Sequence, residues 1–199
     1  MIDSLLAVKA PLSAIGIQGH EPYKGKHWYS PEELWKAYDL LGRQTGLPIY
    51  ITEFFYVSDD TKPIYGTYRK GNWNEDLHAE AVEEFYRISF GHPSVKVIVY
   101  FGMSDNDAVI PKCALLDRQY NPKPAWNRLK QLIWNEWITK LSEQTSAEGQ
   151  LSFRGFYGKY KVSLTYGGKE YPFEFYAEPG KANSFSFTVK AGSTGSGAE

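Results

Sequence analysis

The sequence predicts an α/β fold, a parallel sheet with crossover helices, followed by a small antiparallel β extension. Three observations carry this expectation. Apolar runs at residues 13–17, 47–52 and 95–101 each end in a polar loop leading into a helical pattern, the succession of βα units. Such short runs fit strands buried on both faces of a parallel sheet. After about Leu141 the pattern changes to short segments separated by Gly167-Gly168 and Pro179-Gly180, which reads as antiparallel strands and turns.

The elements follow in order, with a helix expected ahead of the first strand. Ser13-Ala14-Ile15-Gly16-Ile17 is that strand, ended by Gln18-Gly19-His20. An aromatic loop covers 21–29. Ser30 then suits an N-cap, Pro31 the first helical position, and Glu32 and Glu33 the positive end of the helix. Leu34, Tyr38 and Leu41 repeat at helical spacing, and Gly46 is a fitting stop. The second strand is 47–52 and its loop runs to Asn74. Asn74-Glu75-Asp76 opens a helix whose apolar positions Leu77, Ala81, Phe85 and Ile88 recur every three to four residues, and His92-Pro93 closes it. The third strand, 95–101, leads through a loop to Pro122-Lys123-Pro124 and a long helix through Trp126, Leu129, Leu132, Ile133 and Trp137. Trp126, Trp134 and Trp137 are expected in the core. In the extension, Phe173-Glu174-Phe175-Tyr176 and Phe185-Ser186-Phe187-Thr188-Val189 alternate with period two, as half-buried strands do.

Three parallel strands have two open edges, which parallel sheets normally cover. A closed eight-stranded barrel takes about 250 residues, and only 1–140 have βα grammar. Either the β-rich segment at 141–191 covers the edges or upstream βα units have been lost and the chain is a fragment. The second is the expectation, so 1–140 reads as a partial barrel. Residues 192–199 read as a flexible tail.

Composition excludes several classes. With 22 basic and 23 acidic residues among 199, no basic surface points to nucleic acid or a membrane. Cys113, the single cysteine, cannot form an internal disulfide. No apolar run approaches the roughly 18–20 residues of a membrane span, and the first residues lack the pattern of a signal peptide. Aromatic residues reach 16%, including 6 Trp and 15 Tyr. They fill a core or stack on a ligand; Trp28, Tyr29, Tyr65, Tyr68 and Trp73 could line a glycan cleft or cap a barrel rim.

In parallel β/α proteins functional groups gather at the C-terminal ends of strands. Those ends offer Gln18 and His20, then Glu53, then Phe101 and Asp105. A glutamate directly after an apolar strand is costly if buried without partners, and His20 at a neighbouring strand end is a candidate partner. His20, His27, His78 and His92 lack metal-ligand spacing, so no metal and no cofactor is expected. Glycine-rich phosphate loops and nucleophile elbows are missing. A carboxylate beside aromatic rings points towards sugar chemistry, in which one carboxylate attacks the anomeric carbon and a second protonates the leaving oxygen.

Five motifs in order carry a family resemblance: Ile15-Gly16-Ile17-Gln18-Gly19-His20, Ile51-Thr52-Glu53-Phe54, Phe90-Gly91-His92-Pro93-Ser94-Val95, Phe101-Gly102-Met103-Ser104-Asp105 and Asn121-Pro122-Lys123-Pro124-Ala125. Together they resemble the sixth, seventh and eighth βα units of glycoside hydrolase family 10, the endo-β-1,4-xylanase family. The resemblance covers roughly 2–139 and implies the C-terminal portion of a (β/α)8 TIM barrel. Arg154-Gly155-Phe156-Tyr157-Gly158 resembles a β extension found in some members.

The resemblance implies a retaining glycosidase in which Glu53 is the nucleophile, His20 hydrogen-bonds it and Gln18 lies near the acid/base. Phe101 stands where a tryptophan usually packs under the sugar, and Asp105 joins the substrate-binding set. The family's acid/base glutamate follows an asparagine on the fourth strand, which this chain lacks; Asn135-Glu136 sits inside a helix and is rejected for that role. Phe55 stands where an aspartate usually steadies the histidine, and the strand-eight loop tryptophan is replaced around Val109. The expected partners are a polysaccharide or oligosaccharide, and a missing N-terminal half-barrel or a second copy of the chain. An extracellular or periplasmic setting goes with the resemblance. The leading expectation is a hydrolase active only with its missing half; the others are a non-catalytic carbohydrate-binding protein and a folded remnant that dimerises through open strand edges.

Overall fold

The computed structural model describes residues 2–20, 29–64, 69–108, 110 and 112–189. The expected loop aromatics Trp28, Tyr65 and Tyr68, the replacement at Val109 and the tail 192–199 lie outside the described residues. The chain divides after Asn135 into two compact units.

The first unit runs α1 (Ile2–Ala7), β1 (Ile15–Ile17), α2 (Pro31–Thr45), β2 (Ile49–Phe54), α3 (Glu75–Gly91), β3 (Val95–Tyr100) and α4 (Pro124–Gln131). The three strands form one parallel sheet in the order β1-β2-β3. This is the βα succession of a partial barrel. The helix ends follow the local chemistry that the sequence offers. The Ser30 Oγ accepts from the Glu33 amide while the Glu33 carboxylate accepts from the Ser30 amide, a reciprocal cap on two orphan donors. Gly46 ends α2 at φ 64°. Asn74 caps α3 by accepting from the Leu77 amide at 2.9 Å.

One face of the sheet is covered, not both. Ile15, Ile49, Ile51 and Phe54 are buried, and Phe54 lies flat on Phe85 of α3, ring centroids 3.8 Å apart. The Tyr38 hydroxyl of α2 meets Ser89 of α3 at 3.0 Å beneath it. Tyr50, Val97 and Val99 on the other face stay exposed. The expectation of two buried faces is corrected: apolar runs record a surface that burial would favour, whereas α2 and α3 lie along only one side. In a closed barrel the other side is the interior.

Two tryptophan expectations also change. Helix α4 ends at Gln131 and continues as a π-helical turn, Leu132–Glu136. Ala125, Leu129 and Leu132 form its buried stripe, and Trp134, about half a turn away from Ala125 at 3.6 residues per turn, is 54% exposed. Trp126 and Trp137 are half-buried rather than core. Trp73 is the reverse case: fully buried against Tyr56, ring centroids 5.6 Å apart, it cannot line a cleft.

The second unit holds an antiparallel hairpin, β4 (Gly158–Tyr166) and β5 (Lys169–Ala177). Gly167 and Gly168 join them at φ 56° and 74°, the positive values that a two-residue hairpin turn requires. Phe153, Tyr160, Phe175 and Phe185 form a continuous row of rings, and Phe187 stacks on Phe173 at 4.4 Å. The alternation at 185–189 was expected to be a strand. It packs its rings on the hairpin but forms no strand there, because alternation specifies which side chains face inward and not that a ladder closes.

Candidate functional site

The C-terminal ends of the three strands are stitched together beyond their regular ladders. The Glu53 amide donates to the Gln18 carbonyl at 3.0 Å, the Phe101 amide donates to the Phe54 carbonyl at 2.9 Å, and His20 bridges Phe55. The Thr52 hydroxyl donates to the Ile17 carbonyl at 3.2 Å.

What aims Glu53 is a break in register. Regular alternation would place Glu53 on the same side as Ile49 and Ile51, under the helices. The pairing of β2 with β3 shifts between Ile51 and Phe54. Ile51 and Phe54, three residues apart, both face α3: a Cβ added at Gly19 would meet Ile51, Phe85 and Phe54 together. With Phe54 turned inward, its neighbour Glu53 points to the open face. Irregularities of this kind commonly re-aim a side chain beside an active site. Glu53 is the penultimate residue of β2, which runs two residues past the apolar run that ends at Thr52.

His20 reaches this carboxylate across 33 residues of sequence. Its Nε2 lies 3.1 Å from Glu53 Oε2, and the two side chains are 33% and 36% exposed. Gly19, at φ 72°, turns the chain so that His20 arrives here; a Cβ at Gly19 would stand 2.8 Å from Ile51 Cγ2. Phe55 packs on the imidazole with centroids 4.6 Å apart, and Phe101 lies 6.4 Å from both rings. Thus His20, Glu53 and Phe101 converge. Gln18 contributes its backbone carbonyl, and its side chain is exposed.

Asp105 makes its contacts elsewhere. It accepts from the Ala114 amide and from Lys123 Nζ at 3.3 Å. Lys123 is only 6% exposed, and its ammonium also meets Glu75 Oε1 at 3.1 Å and Ser58 Oγ at 3.2 Å. Burying an ammonium is tolerable only with such partners. The cluster joins the loops after β2 and β3 to the starts of α3 and α4. Nearby, the His78 side chain meets the Tyr100 hydroxyl at 3.1 Å, and that hydroxyl donates to the Cys113 carbonyl at 2.7 Å. Burial, reinforced by the Lys123 charge, pulls the His78 imidazole down to about 3. Burial also raises Tyr100 well above the usual phenol range and pushes the Cys113 thiol up to about 11, which favours the neutral thiol near neutral pH.

Sequence reasoning missed Lys123. The signal available was a lysine bracketed by Pro122 and Pro124, a cation on a backbone with little freedom to swing out. It also took Phe55 only as a replacement and not as the surface against which His20 rests.

A cavity of about 420 Å³ opens on the α2 side of β1, bounded by Ile17, Leu34, Tyr38, Leu41 and Phe85, with His20 at its edge. Glu53 is not among its lining residues, whereas Gly19 and His20 are. Among the described residues no group of His, Cys, Asp and Glu is placed to hold a metal ion, and no helix is long and apolar enough to cross a membrane.

Residues 1–132 match the family model for glycosyl hydrolase family 10. Over 124 residues the chain is 34% identical to the anti-sigma-I factor RsgI6 of Acetivibrio thermocellus, a match spanning 62% of this chain and 14% of that protein. Over 140 residues it is 28% identical to endo-1,4-beta-xylanase B of Thermotoga neapolitana, spanning 67% of this chain and 37% of that enzyme. The solved structure of xylanase 10B from Thermotoga petrophila RKU-1 in complex with xylobiose superposes with a TM-score of 0.51 at 26% identity, over 68% of this chain and 40% of that one. The chain therefore spans well under half the length of each of these proteins.

Proposed function

Because this chain belongs to glycosyl hydrolase family 10, we propose that it carries the nucleophile half of a retaining endo-β-1,4-xylanase-type site. Glu53 attacks the anomeric carbon through one oxygen, while its other oxygen, Oε2, accepts from His20 Nε2. The C1–O glycosidic bond breaks as the departing oxygen takes a proton from the acid and leaves as the sugar alcohol. The glycosyl–enzyme ester that results is hydrolysed by water in a second step. The observation that supports this reading most is the His20–Glu53 pair at 3.1 Å, set at adjacent strand ends on the open face of the sheet. The Phe101 ring, 37% exposed beside them, offers the sugar an apolar face. Xylobiose in the Thermotoga petrophila structure is consistent with a xylo-oligosaccharide ligand.

A retaining mechanism needs a second carboxyl group about 5–5.5 Å from the nucleophile. Asp105 is held by Lys123 and is not available for that role. On this reading the acid is supplied from outside the three βα units, by an N-terminal half-barrel or a second copy of the chain.

The test uses a 2-fluoro-xylobioside with a dinitrophenolate leaving group, which departs without an acid. The chain is mixed with the complementing half of a Thermotoga family 10 xylanase, and peptides are mapped by mass spectrometry. The expected result is one glycosyl adduct on the peptide carrying Glu53, lost in Glu53→Gln. An adduct on another residue, or none, overturns the assignment.

A second reading draws on the 34% identity to a protein named as an anti-sigma factor rather than as a hydrolase. On that reading the barrel binds xylan-type glycans without cleaving them. Calorimetry with xylo-oligosaccharides then gives binding that Glu53→Gln leaves unchanged, with no adduct under the labelling conditions.

A further inference from the structure

We infer that Phe55 is the positioning residue for His20, acting through ring packing where a charged partner could have stood; its effect on the reaction rests on the proposed role of Glu53. Three features of the geometry support it. Phe55 is 4% exposed although it lies beyond the end of β2, so its ring is fixed by its surroundings before any ligand arrives. It sits beside His20 in a parallel bridge, at the point where β1 and β2 run out, and its ring covers the imidazole with centroids 4.6 Å apart and planes 38° apart. Phe101, from the end of β3, closes the cluster at 6.4 Å from each ring. Each strand of the sheet thus supplies one ring.

The consequence concerns direction. An imidazole at the end of a short strand can turn about two side-chain torsions, and a single hydrogen bond to a half-exposed carboxylate is a weak restraint on both. A buried ring in tilted contact with the imidazole, 4.6 Å between centroids and 38° between planes, restricts the out-of-plane freedom. The bond to Glu53 Oε2 then settles the rotation within that plane. Packing and hydrogen bond together hold Nε2 on the one carboxylate oxygen and leave the other for the sugar. A leucine at position 55 keeps apolar volume but offers no flat face. A tyrosine keeps the face.

The experiment has two readouts on the full chain. In proton NMR, the carbon-bound imidazole protons of His20 are expected upfield of ordinary unstacked imidazole positions, shifted by the Phe55 ring, with cross-relaxation between the two rings. Phe55→Leu moves them back and Phe55→Tyr retains the shift. In the labelling assay with the complementing half-barrel, Phe55→Leu slows adduct formation on Glu53 by about ten- to hundredfold, the scale expected for a displaced reacting group. Phe55→Tyr restores it to within about threefold on the same grounds. If His20 shows no ring shift in the unaltered chain, the inference is overturned even should Phe55→Leu fail to fold. A ring shift with equal labelling of both variants overturns it as well, while Glu53 stands as nucleophile. A ring shift lost in Phe55→Leu, with no Glu53 adduct in the unaltered chain, keeps the positioning of His20 and removes the nucleophile reading instead.

Discussion

Phe54 lies flat on Phe85, centroids 3.8 Å and planes 11° apart, and this contact decides which way the adjacent Glu53 points. A strand residue and its neighbour face opposite sides. Anchoring one ring among Phe85, Tyr86 and Tyr100 therefore turns the carboxylate away from the helices. Phe85→Ala should lower the stability of the first unit by about 3–5 kcal/mol, read as a shift in the urea midpoint. Phe85→Leu should cost less than half of that. Equal costs would mean that stacked-ring area is not what holds Phe54.

Gly19 is a point where no other residue fits. Its φ of 72° lies in the region that side chains avoid, and a Cβ would stand 2.8 Å from Ile51 Cγ2. Gly19→Ala should destabilise by at least about 1–2 kcal/mol from backbone conformation alone, and should shift the His20 ring resonances. A variant with unchanged stability and unchanged His20 signals would show that the turn does not depend on glycine.

The buried ammonium of Lys123 is the counter-charge for Asp105 and Glu75. Lys123→Met leaves two carboxylates together without a cation, and should cost about 3–5 kcal/mol. Adding Asp105→Asn should recover part of that loss, giving a non-additive double-mutant cycle. Additive costs below about 1 kcal/mol would place the pair among exposed, weakly coupled ion pairs.

His78 makes stability depend on pH with a definite sign. Its pKa falls from 6.5 to about 3 on folding because burial disfavours the imidazolium and the Lys123 charge adds to that. The unfolded chain therefore takes up a proton below about pH 6.5 that the folded chain refuses until about pH 3. The contribution is complete above pH 6.5 and declines as pH falls, with a limiting slope of about 1.4 kcal/mol per pH unit. The stability difference between the unaltered chain and His78→Gln should shrink across that window in chemical denaturation. Parallel curves for the two proteins would exclude His78 as the source.

The order of elements was legible in the residues, because the caps are local. Ser30 with Glu33, Asn74 and Gly46 mark helix ends through bonds to neighbours within four residues, and Gly167-Gly168 marks the hairpin turn through backbone conformation alone. Strand ends that offer His20, Glu53 and Phe101 were legible for the same reason: polar or aromatic residues directly follow apolar runs. The family resemblance rested on motifs that are likewise contiguous.

What the tertiary structure decided is what depends on partners far apart in sequence. The shift between Ile51 and Phe54 comes from pairing with β3, and it places Glu53 on the open face. Trp73 is buried and Trp134 exposed because the neighbours that cover one and leave the other bare are not encoded in their own spacing. Asp105 was read as a candidate for the sugar site from its place after β3, yet its charge is spent on Lys123, 18 residues on. Local free energies of capping and turn formation can be read one segment at a time. Burial, charge pairing and side-chain direction are properties of the assembled sheet, and they exist only once β1, β2 and β3 lie side by side.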